Sequence, residues 1–588
     1  MTNETNNPAF PGAAPQGSAQ QPQPAQQPQF LHGSAQQPQP AQQPQFSQGP
    51  AQQPQYAPPV YAARPPRPRV YPTERGDLVF AFAALPLTFF LVAALWSGLR
   101  AGFTLAYDLI FFALSAYLCR KRGFPGAFPS VCGLLALALS AVFICSDAGA
   151  VLFLCVPVML CLSVAWFAGL SGRRVPEGDL GPVSYVGGPA VEALSAAPKS
   201  VRTVLSAKGK RRSAAGKALL GVICALPLLI VVTALLSRSD AAFENLLGRM
   251  VSDPGLRAAQ LLLSLLLTPL LLGFAFALRK DSAETRNTQP GRGIDAVILV
   301  SGMCLLCAVY LLYLFSQLAY FFSGFLGILP EGAGLTTAEY ARRGFFELCA
   351  IAAINFAALF LALLGARKTE GKVPVALRVP AVFIVLFSLL LIATAISKLL
   401  LYIRTYGLSV RRLNAAAFIV FLAAVFIALG LRFFLPRVRV LQVALPAAAC
   451  VLLALGLADV NRVTAEYNYR LYRSDPKAEV DVAYFAELGG SGVEKLVLLA
   501  EDGKASVRVS AKKELWVPLS SEYYEIEEKQ ADKTVVFTLG EKRRSGPLAF
   551  CVPDSRAYKA LETFLAANPD YVQSCAEKWG ANGYYYDW

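Results

Sequence analysis

Runs of about twenty apolar residues follow one another from Leu78 to Ala458 and limit the folds that this chain can adopt. A helix that crosses the hydrocarbon core of a bilayer needs about 20 mostly apolar residues. We therefore predict about eleven spanning helices, at 78–97, 102–119, 127–146, 148–170, 217–236, 257–278, 294–315, 344–365, 380–402, 413–434 and 438–458.

The charge content fits this prediction. Only 16% of the 588 residues are charged, whereas soluble proteins carry roughly a quarter. The expected fold class is an all-α polytopic membrane bundle with a small C-terminal extracytoplasmic α+β domain and a disordered N-terminal tail.

Basic residues in the loops predict the orientation, because cytoplasmic loops of membrane proteins are enriched in Lys and Arg. If the N-terminus is cytoplasmic, the inner segments hold 27 Lys and Arg and the outer segments hold 10. We therefore predict a cytoplasmic N-terminus. An odd number of spans then places the C-terminal domain outside the membrane.

The chain divides into five predicted regions. Residues 1–75 form a Pro/Gln-rich cytoplasmic tail, in which the block Gly17–Phe30 recurs as Gly33–Phe46; such a composition cannot bury a core. A first transmembrane group of about four helices occupies 76–170, followed by a basic cytoplasmic loop at 171–216 and a transmembrane core of about seven helices at 217–458. The extracytoplasmic α+β domain covers 459–588, with strand-like composition at Ala505–Ser510, Glu514–Pro518, Thr534–Leu539 and Pro547–Val552.

Three polar clusters interrupt the apolar background at the predicted outer ends of the helices. Ionisable groups at a membrane boundary are costly unless they are paired or hydrated, so they indicate candidate sites. The candidate residues are Glu339, Arg342, Arg343, Glu347, Arg411, Arg412, Asp459, Asn461 and Glu466.

Two interpretations of these clusters stay open. The charges can pair with one another and fix the helix ends, as Glu339 and Arg343 can across one helical turn; we favour this interpretation. Alternatively, the arginines form an outward-facing pocket for an anionic lipid headgroup or a glycan phosphate.

Several other functions receive little support from the residues. The single histidine, His32, lies in the tail, so the chain offers no histidine-based metal site or catalytic triad. We predict no cofactor, no metal site and no nucleic-acid partner, and the carboxylates show no spacing typical of an acid–base pair, so an enzyme is not favoured. Cys551 and Cys575 could form a disulfide if their domain faces an oxidising compartment.

Polar strings in a fixed order give the chain a resemblance to a known family. The strings Tyr340–Leu348 and Tyr406–Leu413 resemble those of bacterial polytopic membrane proteins known only by a domain of unknown function. The segment from Asp459 to Leu488 is similar to the part of that family after its last helix, and the resemblance covers roughly residues 215–500. It implies an integral protein of the bacterial cell envelope, and it implies neither an activity nor catalytic residues.

These observations predict a multi-pass protein of the bacterial plasma membrane that acts as a binding, sensory or scaffolding component. The alternative is a transporter or a lipid- or anionic-glycan-handling protein that uses the outer arginine and carboxylate cluster. The expected partners are the lipid bilayer and an anionic lipid or cell-wall polymer.

Overall fold

The computed structural model of the chain describes most residues from Arg75 onward. The described residues are 75–96, 101–120, 125–205 except Glu177, 221, 225, 227–233, 254–279, 294–326, 337–366, 373–474, 479–531, 534–541 and 550–579. The predicted tail therefore lies outside the described residues. So does most of the predicted span 217–236.

Besides a helical stretch at 227–233, eleven helices lead from the start of the described chain to the end of its apolar part. They are α1 (Arg75–Trp96), α2 (Ala101–Cys119), α3 (Ala127–Cys145), α4 (Gly149–Leu170), α5 (Gly181–Leu205), α6 (Pro254–Arg279), α7 (Ala296–Leu326), α8 (Thr337–Gly365), α9 (Val375–Tyr406), α10 (Val410–Phe434) and α11 (Val440–Ala458). Among the described residues, nine of them are long and apolar enough to cross a membrane, namely all except α5 and α8. In α8, the described apolar part is the shorter stretch Cys349–Gly365.

Helices α1 to α4 pack with α6 and α11 around one hydrophobic core. Its central side chains, such as Leu87, Leu139 and Leu162, are wholly buried. The Oγ1 atoms of Thr88 and Thr268 lie 2.9 Å apart and join α1 to α6 through a hydrogen bond. A spanning helix already satisfies its own backbone groups, so contacts of this kind join the helices to one another.

The predicted basic loop at 171–216 contains a helix, α5, that was not predicted. The prolines Pro189 and Pro198 lie inside this helix, and proline normally ends helices, so the sequence pattern concealed it. Small residues let α5 approach α6 closely: a Cβ atom added to Gly273 would lie 2.4 Å from the carbonyl oxygen of Ala193. The salt bridge of 2.6 Å between Arg173 and Glu192 fixes α5 to the end of α4.

Helices α7 to α10 share a second core, which contains a buried polar chain. The hydroxyl of Tyr310 donates to Asn355 Oδ1 over 2.5 Å, and Asn355 Nδ2 donates to Ser388 Oγ over 2.8 Å. Ser388 Oγ donates in turn to the carbonyl oxygen of Ile384 over 2.7 Å. This series of hydrogen bonds joins α7, α8 and α9 inside the membrane.

One contact fixes α11 within the first helix group, and another joins the second group to the first. Gly456 of α11 lies against α3, where a Cβ atom on it would come within 2.1 Å of Val142 Cγ1. At the other end of the bundle, Arg432 Nε of α10 donates to Asp179 Oδ1 over 2.7 Å, and both side chains are almost fully buried. Thus α10 ties the second group to the first.

The C-terminal region forms a mostly helical domain with one hairpin. Its elements are α12 (Val460–Ser474), α13 (Val482–Ala486), α14 (Gly489–Ala500), α15 (Ala505–Pro518), a π-helical turn (Leu519–Tyr523), β1 (Tyr524–Ala531), β2 (Thr534–Glu541), α16 (Val552–Ala567) and α17 (Tyr571–Trp579). The strands are antiparallel, with Tyr524 opposite Glu541 and Ala531 opposite Thr534.

The strand prediction for this domain is wrong at three of four segments, as far as they are described. Ala505–Ser510 and Glu514–Pro518 are both part of α15, and Val552 begins α16. Leu515 and Trp516 of α15 are almost fully buried against Phe564 and Tyr571. This tertiary burial outweighs the β propensity of Val and Trp in the segment. Thr534–Leu539, by contrast, is a strand.

Candidate functional site

A cavity of about 1000 Å³ lies where both helix groups meet the C-terminal domain. Its wall comes from the start of α4, the last turns of α9, the first turns of α10, the start of α12, and the segment around α13. The polar lining residues are Asp147, Lys398, Tyr402, Ser409, Arg411, Arg412, Asn414, Asn461, Tyr484 and Glu487. The apolar lining includes Ala148, Ala395, Leu399 and Leu488.

The turn between α9 and α10 brings the two arginines to the cavity. Gly407 ends α9 with a φ of +75°, and Ser409 caps α10 by accepting a hydrogen bond from the backbone N–H of Arg412 over 3.4 Å. The domain holds this turn from outside: Asn468 Oδ1 accepts from the N–H of Leu408 over 2.9 Å, and Asn468 Nδ2 donates to the Leu408 carbonyl over 2.8 Å. Arg411 and Arg412 therefore lie in the first turn of α10.

The two arginines have different surroundings. The guanidinium of Arg412 lies 4.0 Å from the ring centroid of Tyr402 and donates to the carbonyl oxygens of Tyr406 and Gly407. Arg411 is exposed. Within the described part of the chain, neither side chain forms a salt bridge. The cavity wall therefore carries two positive charges that no described carboxylate neutralises at contact distance.

Hydrogen-bonding groups lie beside these charges. The hydroxyl oxygen of Tyr484 accepts from the N–H of Val410 over 3.0 Å, which leaves its own hydrogen for another acceptor. Asn414 Oδ1 is buried and has no hydrogen-bond partner among the described atoms. Buried polar atoms are normally paired, so an unpaired one in a cavity wall indicates a place for a ligand or water.

The cavity lining also contains a partly buried carboxylate, Asp147, in the short link between α3 and α4. Asn461 Nδ2 donates to its Oδ1 over 2.7 Å, and the N–H of Gly490 donates to its Oδ2 over 2.8 Å. Burial, reinforced by the charge of Asp459, raises the pKa of Asp147 to about 6. Gly489 lies directly against the carboxylate with a φ of +57°, and a Cβ atom there would be 2.2 Å from Asp147 Oδ2.

Asp459 lies behind this part of the lining and, unlike Asp147, is almost fully buried. Its Oδ2 accepts from Ser491 Oγ over 2.9 Å, and its backbone has a φ of +54°, which is rare for a residue other than glycine. Burial raises the pKa of Asp459 as well. Asp459 thus fastens the end of α11 to α14 of the domain.

The predicted site residues fall into three sets. Arg411, Arg412 and Asn461 line one cavity, with Asp459 behind it. Glu466 lies away from the cavity lining: it pairs with Lys495 at 2.6 Å and with Arg470 at 2.5 Å. Glu339, Arg342, Arg343 and Glu347 belong to the first turns of α8, but their side chains lie outside the described residues.

The C-terminal domain contains the two cysteines Cys551 and Cys575. Cys551 and Cys575 both carry free thiols, so the structure does not join them. Burial raises the pKa of Cys551 to about 12 and that of Cys575 to about 11, which keeps both thiols protonated. No described group of His, Cys, Asp and Glu could hold a metal ion.

Sequence reasoning missed Asp147, Asn414, Tyr402, Tyr484 and Glu487 as cavity residues. Asp147 did give a signal, because it is the single charge in the link between two apolar helices. The two tyrosines gave none, since tyrosine is common at membrane boundaries. Only the fold shows that these side chains meet.

A family profile described as "Domain of unknown function (DUF4153)" matches residues 133–499, a range that contains every residue lining the cavity. Searches of curated proteins and of solved structures found no match. The profile covers more than half of the chain and confirms the resemblance seen in the polar strings. The chain therefore belongs to this DUF4153 family, an uncharacterised family of domains.

Proposed function

We propose that this protein is a non-enzymatic binding component of the bacterial envelope that holds a phosphate-bearing anion in the cavity at the outer membrane face. The anion is the headgroup of a lipid or the phosphate of a cell-wall polymer. The observation that carries the proposal is the pair Arg411 and Arg412 in the wall of a cavity of about 1000 Å³, without a described carboxylate partner.

The chemistry of the wall suits a phosphate. A guanidinium presents donors in a planar fork that matches phosphate oxygens, and the hydroxyl of Tyr484 has a hydrogen to donate beside the arginines. Lys398 adds a third cation to the lining. The apolar residues in the same lining, at the ends of membrane helices, suit a ligand that is partly embedded in lipid.

The favoured sequence interpretation, mutual pairing of the clusters, has less support at these arginines. Arg412 is held by backbone carbonyls and an aromatic ring, and Glu466 pairs with residues of its own domain. A transporter would need an ionisable group facing a cavity inside the membrane. Asp108 of α2 is wholly buried and is not among the residues that line this cavity, so binding is better supported than transport.

The proposal is tested by ligand binding to the purified full-length protein in lipid-depleted non-ionic detergent. The probe is dihexanoyl-phosphatidylglycerol, with inorganic phosphate as a competitor. Arg411→Ala should weaken binding about tenfold or more, as expected for a lost charged hydrogen bond. Arg404→Ala is the matched control, because Arg404 is an exposed arginine near the end of α9 that does not line the cavity.

Equal affinity of the wild-type protein and a folded Arg411→Ala variant would refute the proposal. Competition of inorganic phosphate with the lipid probe would identify a free or polymer-borne phosphate as sufficient, whereas the absence of competition would favour a lipid.

The orientation of the protein in the membrane is tested separately with C-terminal fusions. Because the C-terminal domain is expected outside the membrane, alkaline phosphatase fused to the C-terminus should be active, and green fluorescent protein fused there should not fluoresce. The reverse result would place the cavity on the cytoplasmic face.

A further inference from the structure

The lining of the cavity carries charges of both signs. Arg411 and Arg412 come from the first turn of α10, whereas Asp147 and Glu487 come from the α3–α4 link and from the segment after α13. In the part of the chain that is described, no salt bridge of 4 Å or less joins either arginine to either carboxylate. A ligand in the cavity can therefore interact with charges of both signs.

The carboxylate of Asp147 retains capacity for a ligand. Each carboxylate oxygen can accept about two hydrogen bonds, and each oxygen of Asp147 accepts one from the protein. The charges that act on it most are those of Asp459 and Asp554, both negative. A cation bound at Asp147 would offset both the cost of burying the ionised carboxylate and its repulsion by Asp459 and Asp554.

We propose that the ligand is zwitterionic and carries a phosphate and a primary ammonium, as a phosphoethanolamine group does. The phosphate lies at Arg411 and Arg412, and the ammonium donates hydrogen bonds to Asp147, with Glu487 nearby. This inference rests on the proposed function, because it concerns the same cavity and names its ligand more closely.

The wall favours a primary ammonium over a quaternary one. A primary ammonium donates short, charge-assisted hydrogen bonds to a carboxylate, and a quaternary ammonium has no hydrogen to donate. Quaternary groups are usually bound by aromatic faces, but the face of Tyr402 is covered by Arg412. The volume of about 1000 Å³ is at the upper end of the roughly 300–1,000 Å³ found for ligand pockets, which leaves room for a headgroup and its glycerol.

The experiment compares three short-chain lipids on the full-length protein in lipid-depleted detergent: dihexanoyl-phosphatidylethanolamine, -phosphatidylcholine and -phosphatidylglycerol. The wild-type protein should bind phosphatidylethanolamine about tenfold or more tightly than phosphatidylcholine. Asp147→Asn should remove this preference, Glu487→Gln should reduce it, and the control Glu479→Gln, an exposed carboxylate outside the cavity, should keep it. Glu487 is exposed, so its variant tests the inference even if Asp147→Asn fails to fold.

The outcomes separate this inference from the proposed function. If phosphatidylethanolamine and phosphatidylcholine bind equally, or if Asp147→Asn and Glu487→Gln both keep the preference, the zwitterionic ligand is refuted. Loss of phosphatidylglycerol binding in Arg411→Ala would then still support an anion site. If Arg411→Ala changes no affinity, both proposals fail.

Binding of free phosphoethanolamine shows whether the ligand is soluble or part of a lipid. If free phosphoethanolamine binds as tightly as the lipid, a soluble ligand is supported; if only the lipid binds, a membrane headgroup is supported.

Discussion

Asn461 donates a hydrogen bond of 2.7 Å to Asp147, a residue 314 positions earlier in the chain. The same carboxylate accepts from the N–H of Gly490 over 2.8 Å. Asp147 therefore connects the α3–α4 link to α12 and α14 of the C-terminal domain. This connection joins the first helix group to the domain beside the cavity.

Replacing Asp147 with Ala should loosen the domain at this connection. The change leaves Asn461 Nδ2 and the N–H of Gly490 without their acceptor, which costs about 1–3 kcal/mol for each buried donor left unpaired. Amide hydrogen exchange at residues 490–493 should become faster. Glu466→Gln is the control, because it weakens ion pairs within the domain away from this connection; unchanged exchange in Asp147→Ala would contradict the prediction.

The stability of the protein should depend on pH through Asp147. Its pKa is about 6 in the fold, compared with 3.8 for an exposed aspartate, so the folded state binds the proton more tightly than the unfolded state does. The destabilisation by the ionised carboxylate is therefore complete above about pH 6 and disappears towards about pH 4. The pKa of Asp459 shifts in the same direction and adds to the effect.

Asp147→Asn should flatten this part of the stability curve, because the variant has no proton to bind at that position. The measurement is the thermal unfolding temperature of both proteins in detergent between about pH 4 and pH 7. Other carboxylates titrate in this range, so the difference between the two curves is the quantity to follow. Parallel curves would show that Asp147 does not carry the dependence.

Arg411 and Arg412 should differ in their effect on stability. Arg412→Ala loses the contact with the Tyr402 ring and the hydrogen bonds to the carbonyls that end α9, at a cost of about 1–3 kcal/mol. Arg411 is exposed and forms no described salt bridge, so Arg411→Ala should stay within about 0.5 kcal/mol of the wild type. Thermal unfolding of the two variants tests this, and equal losses would assign Arg411 a structural role.

Most of the membrane fold could be predicted from the sequence, because hydrocarbon imposes a fixed length of apolar residues on each span. The structure supports nine of the predicted spans among the described residues. Helix α5 could not be predicted, since its Gly, Ala and Pro residues become helical by packing on α6. Helix α15 could not be predicted either, because the burial of Trp516 outweighs the β propensity of the segment.

Only some of the residues that line the cavity could be predicted from the sequence. Arg411, Arg412 and Asn461 stand out as polar residues at apolar boundaries, and all three line the cavity. Asp147 joins Asn461 through a contact that spans 314 positions, which no local pattern encodes. Glu487 reaches the lining from the segment after α13. Glu466 looked equivalent to Asp459 in the sequence, but a helical turn directs it to Arg470 and Lys495 instead.

Gly456 should tolerate no side chain, because α11 contacts α3 there with no space between them. A Cβ atom would lie 2.1 Å from Val142 Cγ1 and 2.7 Å from Val142 Cγ2, so Gly456→Ala should destabilise the protein by about 1–3 kcal/mol through overpacking. Val142→Ala removes both of those methyl groups, and the double variant should regain much of the stability lost by Gly456→Ala alone. The measurement is a double-mutant cycle of thermal unfolding in detergent. Additive losses in the double variant would show that this contact does not hold α11 against α3.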